Sequence, residues 1–137
     1  MSPETERKIR VWVPAIVYMG LIFSVSSISA VKPRVGSFRL FDKIAHAVEF
    51  TGLGLFLTMA FRGSLAEARR VLTPLFAIAI GFAIGVLDEI YQLTVPGRAA
   101  EFLDWVGDAV GVLIGTGLGA LHARLVSRMR VYRSRIG

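Results

Sequence analysis

The chain of 137 residues contains no cysteine, which excludes disulfide bonds, thiolate metal ligands and a cysteine nucleophile. It also lacks a polar stretch long enough for a separate soluble domain, because only 19% of its residues are charged and these gather between apolar segments. No serine–histidine–acid order and no glycine-rich phosphate loop is evident. What remains is a small chain in which 54% of the residues are hydrophobic.

Four apolar segments approach the length that crosses a bilayer, which is about 20 residues. They cover approximately residues 11–30, 44–61, 72–93 and 102–126. We therefore predict an all-α membrane protein with four transmembrane helices in a single domain over residues 1–137. The first segment also resembles a signal peptide, but its length and its internal Pro14 and Tyr18 favour a retained span.

Basic residues are distributed unequally between the two sides of these spans. Eleven of the sixteen Lys and Arg residues lie at the N-terminus, between the second and third spans, or in the C-terminal tail. The positive-inside rule then predicts that both termini are cytoplasmic. The arginine-rich tail is typical of a segment that attracts anionic lipid headgroups, so the net charge of +6 requires no nucleic-acid partner.

Ionisable and polar residues cluster at the outer ends of the second, third and fourth spans. The residues concerned are Asp42, Lys43, His46 and Glu49, then Asp88, Glu89 and Gln92, then Arg98, Asp104 and Asp108. A charge at the centre of a membrane helix costs roughly 2.5–3.5 kcal/mol on insertion scales, so such groups indicate function. Because the topology brings all three clusters to the outer leaflet, we expect one shared polar site there.

Helical periodicity predicts which of these side chains face one another. Asp88 and Gln92 share a face of the third span with two glycines, whereas Glu89 points about 100° away from it. Asp104 and Asp108 lie on a glycine-rich stripe of the fourth span. The glycines expected to pack helices closely are Gly81, Gly85, Gly107, Gly111, Gly115 and Gly119. The surfaces that pack together are thus expected to carry the acids. Ser24 and Ser27 of the first span either donate hydrogen bonds to this site or satisfy neighbouring carbonyl groups.

Four short motifs occur in a characteristic order and spacing. They are Asp42-Lys43-x-x-His46, Asp88-Glu89-x-x-Gln92, Pro96-Gly97-Arg98, and Asp104 followed by a helix of small residues. Together they resemble the VanZ-like family of small bacterial membrane proteins, over about residues 24–119. The chain departs from the family pattern at Phe50, where an aromatic hydroxyl is usual, and at Asp108, where asparagine is usual. The family is named for a protein implicated in teicoplanin resistance, so the resemblance implies a link to glycopeptide resistance or envelope homeostasis.

Three classes of function remain open from the sequence. The favoured class is a protein that binds a lipid, a cell-envelope component or a membrane protein partner. The second is an enzyme acting on a lipid-linked phosphoryl or glycosyl headgroup, and the third is a proton-coupled transporter. Candidate catalytic residues are Asp42, His46, Asp88 and Arg98, and candidate ligand-binding residues are Lys43, Glu49, Glu89, Gln92, Asp104 and Asp108. The carboxylates would suit a divalent cation.

Overall fold

The computed structural model describes residues 1–28 and 37–136, and this part of the chain contains four long α-helices. They are α1 (Pro3–Ser26), α2 (Ser37–Ser64), α3 (Thr73–Gln92) and α4 (Phe102–Ile136), with a 3₁₀ helix (Glu67–Leu72) before α3. Each of the four is long and apolar enough to cross a membrane, which confirms the predicted all-α fold with four membrane-capable helices. The predicted end of the first span at residues 29 and 30, and the loop residues Lys32 and Arg34, lie outside the described residues.

Three helices extend beyond the apolar segments that predicted them: α1 at its start, α2 at both ends and α4 at its end, whereas α3 nearly coincides with its segment. α1 begins at Pro3 rather than near residue 11, because the Ser2 side chain accepts a hydrogen bond from the Thr5 backbone amide and caps the helix. Glu4 lies in the first turn, where the helix dipole favours negative charge. Hydropathy identifies the part of a helix that can lie in hydrocarbon, whereas backbone hydrogen bonding continues into polar surroundings.

Consecutive helices run antiparallel. Trp12 Nε1 near the start of α1 donates a hydrogen bond to Ser64 Oγ at the end of α2, at 2.7 Å. Gly81 and Gly85 of α3 lie against residues of α4 in reverse order, Val112 and then Asp108. The start of α1 and the end of α4 therefore lie at one end of the bundle, and the acidic clusters lie at the other, which we call the polar end.

α2 and α4 run parallel and form the most extensive interhelical contact among the described residues. A Cβ atom at Gly111 would overlap the Ala47 carbonyl oxygen, and one at Gly115 would overlap the Thr51 carbonyl oxygen. A Cβ at Gly54 of α2 would lie 2.5 Å from a carbonyl oxygen of α4. The two backbones thus touch directly, as small residues permit in membrane helices.

The remaining glycines that the sequence assigned to packing also lie against a neighbouring helix. A Cβ at Gly107 would lie 3.0 Å from the Lys43 carbonyl oxygen, and one at Gly119 would lie 2.8 Å from the Thr58 side chain. A Cβ at Gly81 would lie 2.6 Å from the Val112 side chain of α4. Gly85 lies opposite Asp108, so α3 reaches α4 at the level of the acids.

The outer surface of the bundle is apolar, whereas its interior is polar at the polar end. Large apolar side chains such as Leu75, Leu87 and Leu113 are exposed on the outside of the bundle. The bundle centre is also apolar, with Phe50 and Leu53 fully buried. At the polar end, by contrast, the buried side chains are carboxylates, a histidine and an amide. This distribution suits a bundle surrounded by lipid that encloses a polar site.

Candidate polar site at one end of the bundle

Three helices position the polar side chains at similar depth. α3 has 20 residues, so it is about 30 Å long, which equals the thickness of the hydrocarbon core. Asp88 lies four residues before the last residue of α3, about 6 Å from that end of the helix. The acids of α2 and α4 lie beside Asp88 through the helix contacts described above. The site therefore lies near the edge of the membrane-spanning part of the bundle.

His46 and Asp108 form the central pair of the site. His46 Nδ1 and Asp108 Oδ1 are 2.8 Å apart, and both side chains are buried. One potential ligand atom from each of His46, Asp88, Glu89 and Asp108 lies within 4.8 Å of every other. We call these four residues the tetrad.

Glu89 joins the tetrad although helical periodicity directed it away from Asp88. Its side chain is longer by one methylene than that of aspartate, and only 8% of the residue is exposed. Glu89 Oε2 accepts a hydrogen bond from the backbone amide of Glu101, just before α4, at 2.8 Å. The reach of the side chain and this contact, rather than the angle at Cα, decide where the carboxylate lies.

A second group shares His46 with the tetrad. Asp42, His46 and Asp104 also offer ligand atoms within 4.8 Å of one another. Lys43 Nζ makes an ion pair with Asp104 and another with Glu101 Oε2, the latter at 2.8 Å. Lys43 therefore neutralises part of the charge at the start of α4.

Glu101 is a site residue that the sequence analysis missed. It contributes its carboxylate to Lys43 and its backbone amide to Glu89. The available signal was its position immediately before the fourth apolar span, three residues before Asp104 and so one helical turn away. Helix-face analysis began inside the span and therefore passed over this residue.

Several buried oxygen atoms at the polar end accept no hydrogen bond from the described residues. They are Asp88 Oδ1, Glu89 Oε1, Gln92 Oε1, Asp104 Oδ2 and Asp108 Oδ2. Gln92 lies beside them and donates from Nε2 to Asp88 Oδ2 at 2.8 Å. Buried polar atoms in proteins are almost always satisfied, and an exception indicates strain, catalysis or a bound species. The site has more acceptors than donors, so it can take a cation, a proton or a ligand that donates hydrogen bonds.

Arg98 and Glu49 lie outside both groups. Arg98 Nε donates to the Ile28 carbonyl oxygen at 3.2 Å, and its Nη2 donates to that of Val25 at 3.3 Å. These bonds place the guanidinium at the C-terminal end of α1, where a cation is favoured by the helix dipole. Gly97 precedes it with φ of 81°, as the tight turn requires. The half-buried Glu49 accepts a hydrogen bond through its backbone carbonyl from the Tyr18 hydroxyl at 3.0 Å.

The hydroxyl groups of Ser24 and Ser27 donate to carbonyl oxygens of α1. Ser24 Oγ donates to the Gly20 carbonyl oxygen at 2.7 Å, and Ser27 Oγ donates to that of Phe23 at 2.6 Å. Ser27 Oγ is also 2.7 Å from the Tyr91 hydroxyl oxygen. The sequence left open whether these serines donate to the polar site or to neighbouring carbonyl groups. Ser24 donates to a neighbouring carbonyl group of its own helix.

An apolar cavity of about 410 Å³ adjoins the tetrad, and we call it the lateral groove. Its lining residues are Val86, Glu89, Ile90, Leu93, Ala100, Glu101, Phe102 and Trp105. The rings of Phe102 and Trp105 stack with centroids 5.8 Å apart. Because Ile90 and Leu93 are exposed on the outer surface of α3, the groove opens toward the surrounding lipid. Glu89 belongs to both the groove and the tetrad.

The family comparison agrees with the motifs in the sequence. The family model described as VanZ/LLP1 matches residues 4–123, which confirms the VanZ-like resemblance. No curated protein and no solved structure matches the chain at a significant level. Of the two departures from the family pattern, Phe50 is fully buried in the hydrophobic core. Asp108 pairs with His46, so the second departure adds a carboxylate to the tetrad.

Proposed function

The chain belongs to the VanZ/LLP1 family, and from its polar site we propose that it binds a lipid or a lipid-linked cell-envelope component. The single observation that carries this proposal is the shared position of Glu89 in the lateral groove and in the tetrad. An amphipathic ligand would place its apolar chain in the groove and its polar head against the acids. Small-molecule sites typically enclose about 300–1,000 Å³, and the groove is of that size.

We further propose that the polar end faces the outer side of a bacterial cytoplasmic membrane, with both chain termini in the cytoplasm. The excess of basic residues near the ends of the chain and between α2 and α3 supports this orientation. A ligand at the outer leaflet would be an envelope lipid or a lipid-linked precursor. Binding of that kind is what would connect the chain with envelope homeostasis or glycopeptide resistance.

Native mass spectrometry of the protein released from nanodiscs tests the binding. Ile90→Trp would fill the groove from α3, so we expect the bound lipid retained by the wild type to be lost. Leu118→Trp is the matched control, because Leu118 is 48% exposed on α4 and does not line the groove. Equal retention in the wild type and both variants would contradict the proposal.

A lipid-headgroup enzyme is a second candidate, favoured by the His46–Asp108 hydrogen bond. A carboxylate bonded to one imidazole nitrogen fixes the ring orientation, as required for a general base or a metal ligand. The substrate class would be a lipid-linked phosphoryl or glycosyl group entering from the groove. His46→Gln is expected to abolish turnover of such a substrate while leaving lipid retention intact, and loss of both would assign His46 to binding instead.

A further inference from the structure

We propose that the tetrad of His46, Asp88, Glu89 and Asp108 binds one divalent metal ion. Ligand atoms bound to an ion of the size of Mn²⁺ or Zn²⁺ lie about 2.0–2.2 Å from it, and hence at most about 4.4 Å from one another. One atom from each tetrad residue lies within 4.8 Å of all the others. Side-chain rotations that move these atoms by a few tenths of an ångström would therefore complete a coordination sphere.

Unpartnered oxygens give a second and independent indication of a cation. Asp88, Glu89 and Asp108 each present a buried oxygen that accepts no hydrogen bond from the described residues. Gln92 is neutral and fully buried, and its Oε1 also accepts no hydrogen bond from the described residues. Its Nε2 donates a hydrogen bond to Asp88 Oδ2. A metal ion is the species that would satisfy anionic and amide oxygens together.

The local charge also favours a cation. Three of the four tetrad residues are carboxylates, and their side chains are at least nine-tenths buried. Lys43, which lies beside the site, already pairs with Asp104 and Glu101. Asp88 and Glu89 have no ion-pair partner among the described residues, and Asp108 has only His46, which is cationic only when protonated. Buried carboxylates this close together repel one another strongly in a low-dielectric medium. A divalent ion would remove most of this repulsion.

The donor set narrows the class of metal. One imidazole with three carboxylates combines a borderline nitrogen donor with hard oxygen donors. Mn²⁺ and Zn²⁺ accept both kinds of donor, whereas Ca²⁺ requires six to eight oxygens at longer distances. The tetrad contains no sulfur atom, which is the soft ligand that Cu⁺ prefers.

This inference goes beyond lipid binding and does not depend on it, so the two are tested separately. The full-length protein in detergent, without added lipid, is treated with a chelator, desalted and titrated with Mn²⁺. Free Mn²⁺ is measured by electron paramagnetic resonance, and Zn²⁺ is then added as a competitor. We expect one bound Mn²⁺ per chain in the wild type, displaced by Zn²⁺.

Variants locate the ion. Asp88→Asn and His46→Gln are each expected to weaken Mn²⁺ binding by at least about tenfold, the scale of effect seen when metal-site residues are changed. Glu67→Gln is the matched control, because Glu67 is an exposed acid at the opposite end of the bundle and should bind as the wild type does. Loss of binding in Glu67→Gln would place the ion elsewhere and overturn the assignment.

Thermal unfolding gives a readout that does not depend on the yield of any one variant. Mn²⁺ is expected to raise the Tm of the wild type and of Glu67→Gln but not that of His46→Gln. If Asp88→Asn does not fold, Asp108→Asn takes its place, because Asp108 belongs to the tetrad and not to the second group that shares His46. A wild type that binds neither Mn²⁺ nor Zn²⁺, or tetrad variants that bind both as well as the wild type, would overturn the proposal. Lipid retained in nanodiscs despite that result would leave the proposed function standing.

Discussion

At the scale of single residues, Lys43 makes two ion pairs with acids at the start of α4. It pairs with the fully buried Asp104 and with Glu101, and its side chain is only 19% exposed. Removing one partner of a buried ion pair leaves the other charge without compensation. Lys43 therefore holds the start of α4 against α2 as well as reducing the charge of the site.

Lys43→Met is expected to lower the free energy of unfolding by about 3–5 kcal/mol, because Asp104 would remain buried without its counter-ion. Denaturant unfolding in detergent, followed by circular dichroism, measures the change. Combining Lys43→Met with Asp104→Asn should restore a substantial part of the loss, since the buried charge is then gone. A double variant as unstable as the single one would contradict this account of Asp104.

Arg98 contributes to stability through hydrogen bonds to backbone carbonyl groups rather than through ion pairs to buried acids. Its two hydrogen bonds to α1 carbonyl oxygens connect the loop before α4 with α1. Arg98→Ala is expected to lower stability by about 1–3 kcal/mol, because about 1 kcal/mol is typical of each such bond. Lipid retention in nanodiscs should be unchanged. A variant with wild-type stability that retains no lipid would instead support a direct role of the Arg98 guanidinium in binding the ligand.

At the scale of helices, the contact between α2 and α4 rests on glycines with different surroundings. A Cβ at Gly115 would overlap the Thr51 carbonyl oxygen, whereas a Cβ at Gly117 would meet nothing within 4 Å. The two positions lie in the same helix, so their intrinsic helix propensities are comparable. They separate the effect of interhelical packing from that of local helix stability.

Gly115→Ala is expected to destabilise the protein by about 1–3 kcal/mol, because the backbones of α2 and α4 must move apart. Gly117→Ala should be neutral or stabilising by up to about 1 kcal/mol, since alanine favours the helix and has room. Thermal unfolding of the two variants in the same detergent measures the difference. Equal effects would mean that this contact contributes little to stability.

The sequence predicted the helices well because hydrophobic length largely determines which segments cross a membrane. Helix ends were less predictable, since the Ser2 cap continues α1 beyond the apolar stretch. The placement of Glu89 depended on side-chain reach, and that of Glu101 on a loop entering α4. The contacts of Arg98 depended on the turn at Gly97. Periodicity describes directions from a helix axis, so contacts made through loops and long side chains lie outside what it can predict.

At the scale of the whole molecule, the absence of cysteine makes the proposed orientation directly testable. Ala99 and Ala66 are exposed positions at opposite ends of the bundle, the first beside the polar site and the second before the 3₁₀ helix. Ala99→Cys is expected to react with a membrane-impermeant maleimide in intact cells, and Ala66→Cys only after lysis. Each variant replaces a single alanine, so each serves as the control for the other. The reverse pattern would mean that the polar end faces the cytoplasm.

The distribution of buried polarity also bears on transport through the molecule. A proton relay across the membrane would require ionisable groups along the bundle axis. The buried carboxylates in the described part of the chain are confined to the polar end, and Phe50, Leu53 and Leu57 fill the centre beyond them. The arrangement therefore favours a site entered from one surface or from the lipid over a path through a single bundle.

The parallel contact between α2 and α4 has a consequence for biogenesis. These helices are separated in the chain by α3, so their glycine-mediated contact can form only after the fourth helix has left the ribosome and entered the bilayer. Until then, His46 has neither Asp108 nor Asp104 beside it, and the carbonyl groups of Ala47 and Thr51 lack their contacts with Gly111 and Gly115. Insertion of α4 therefore brings the four tetrad side chains together for the first time, and the polar site assembles only once this helix is in place.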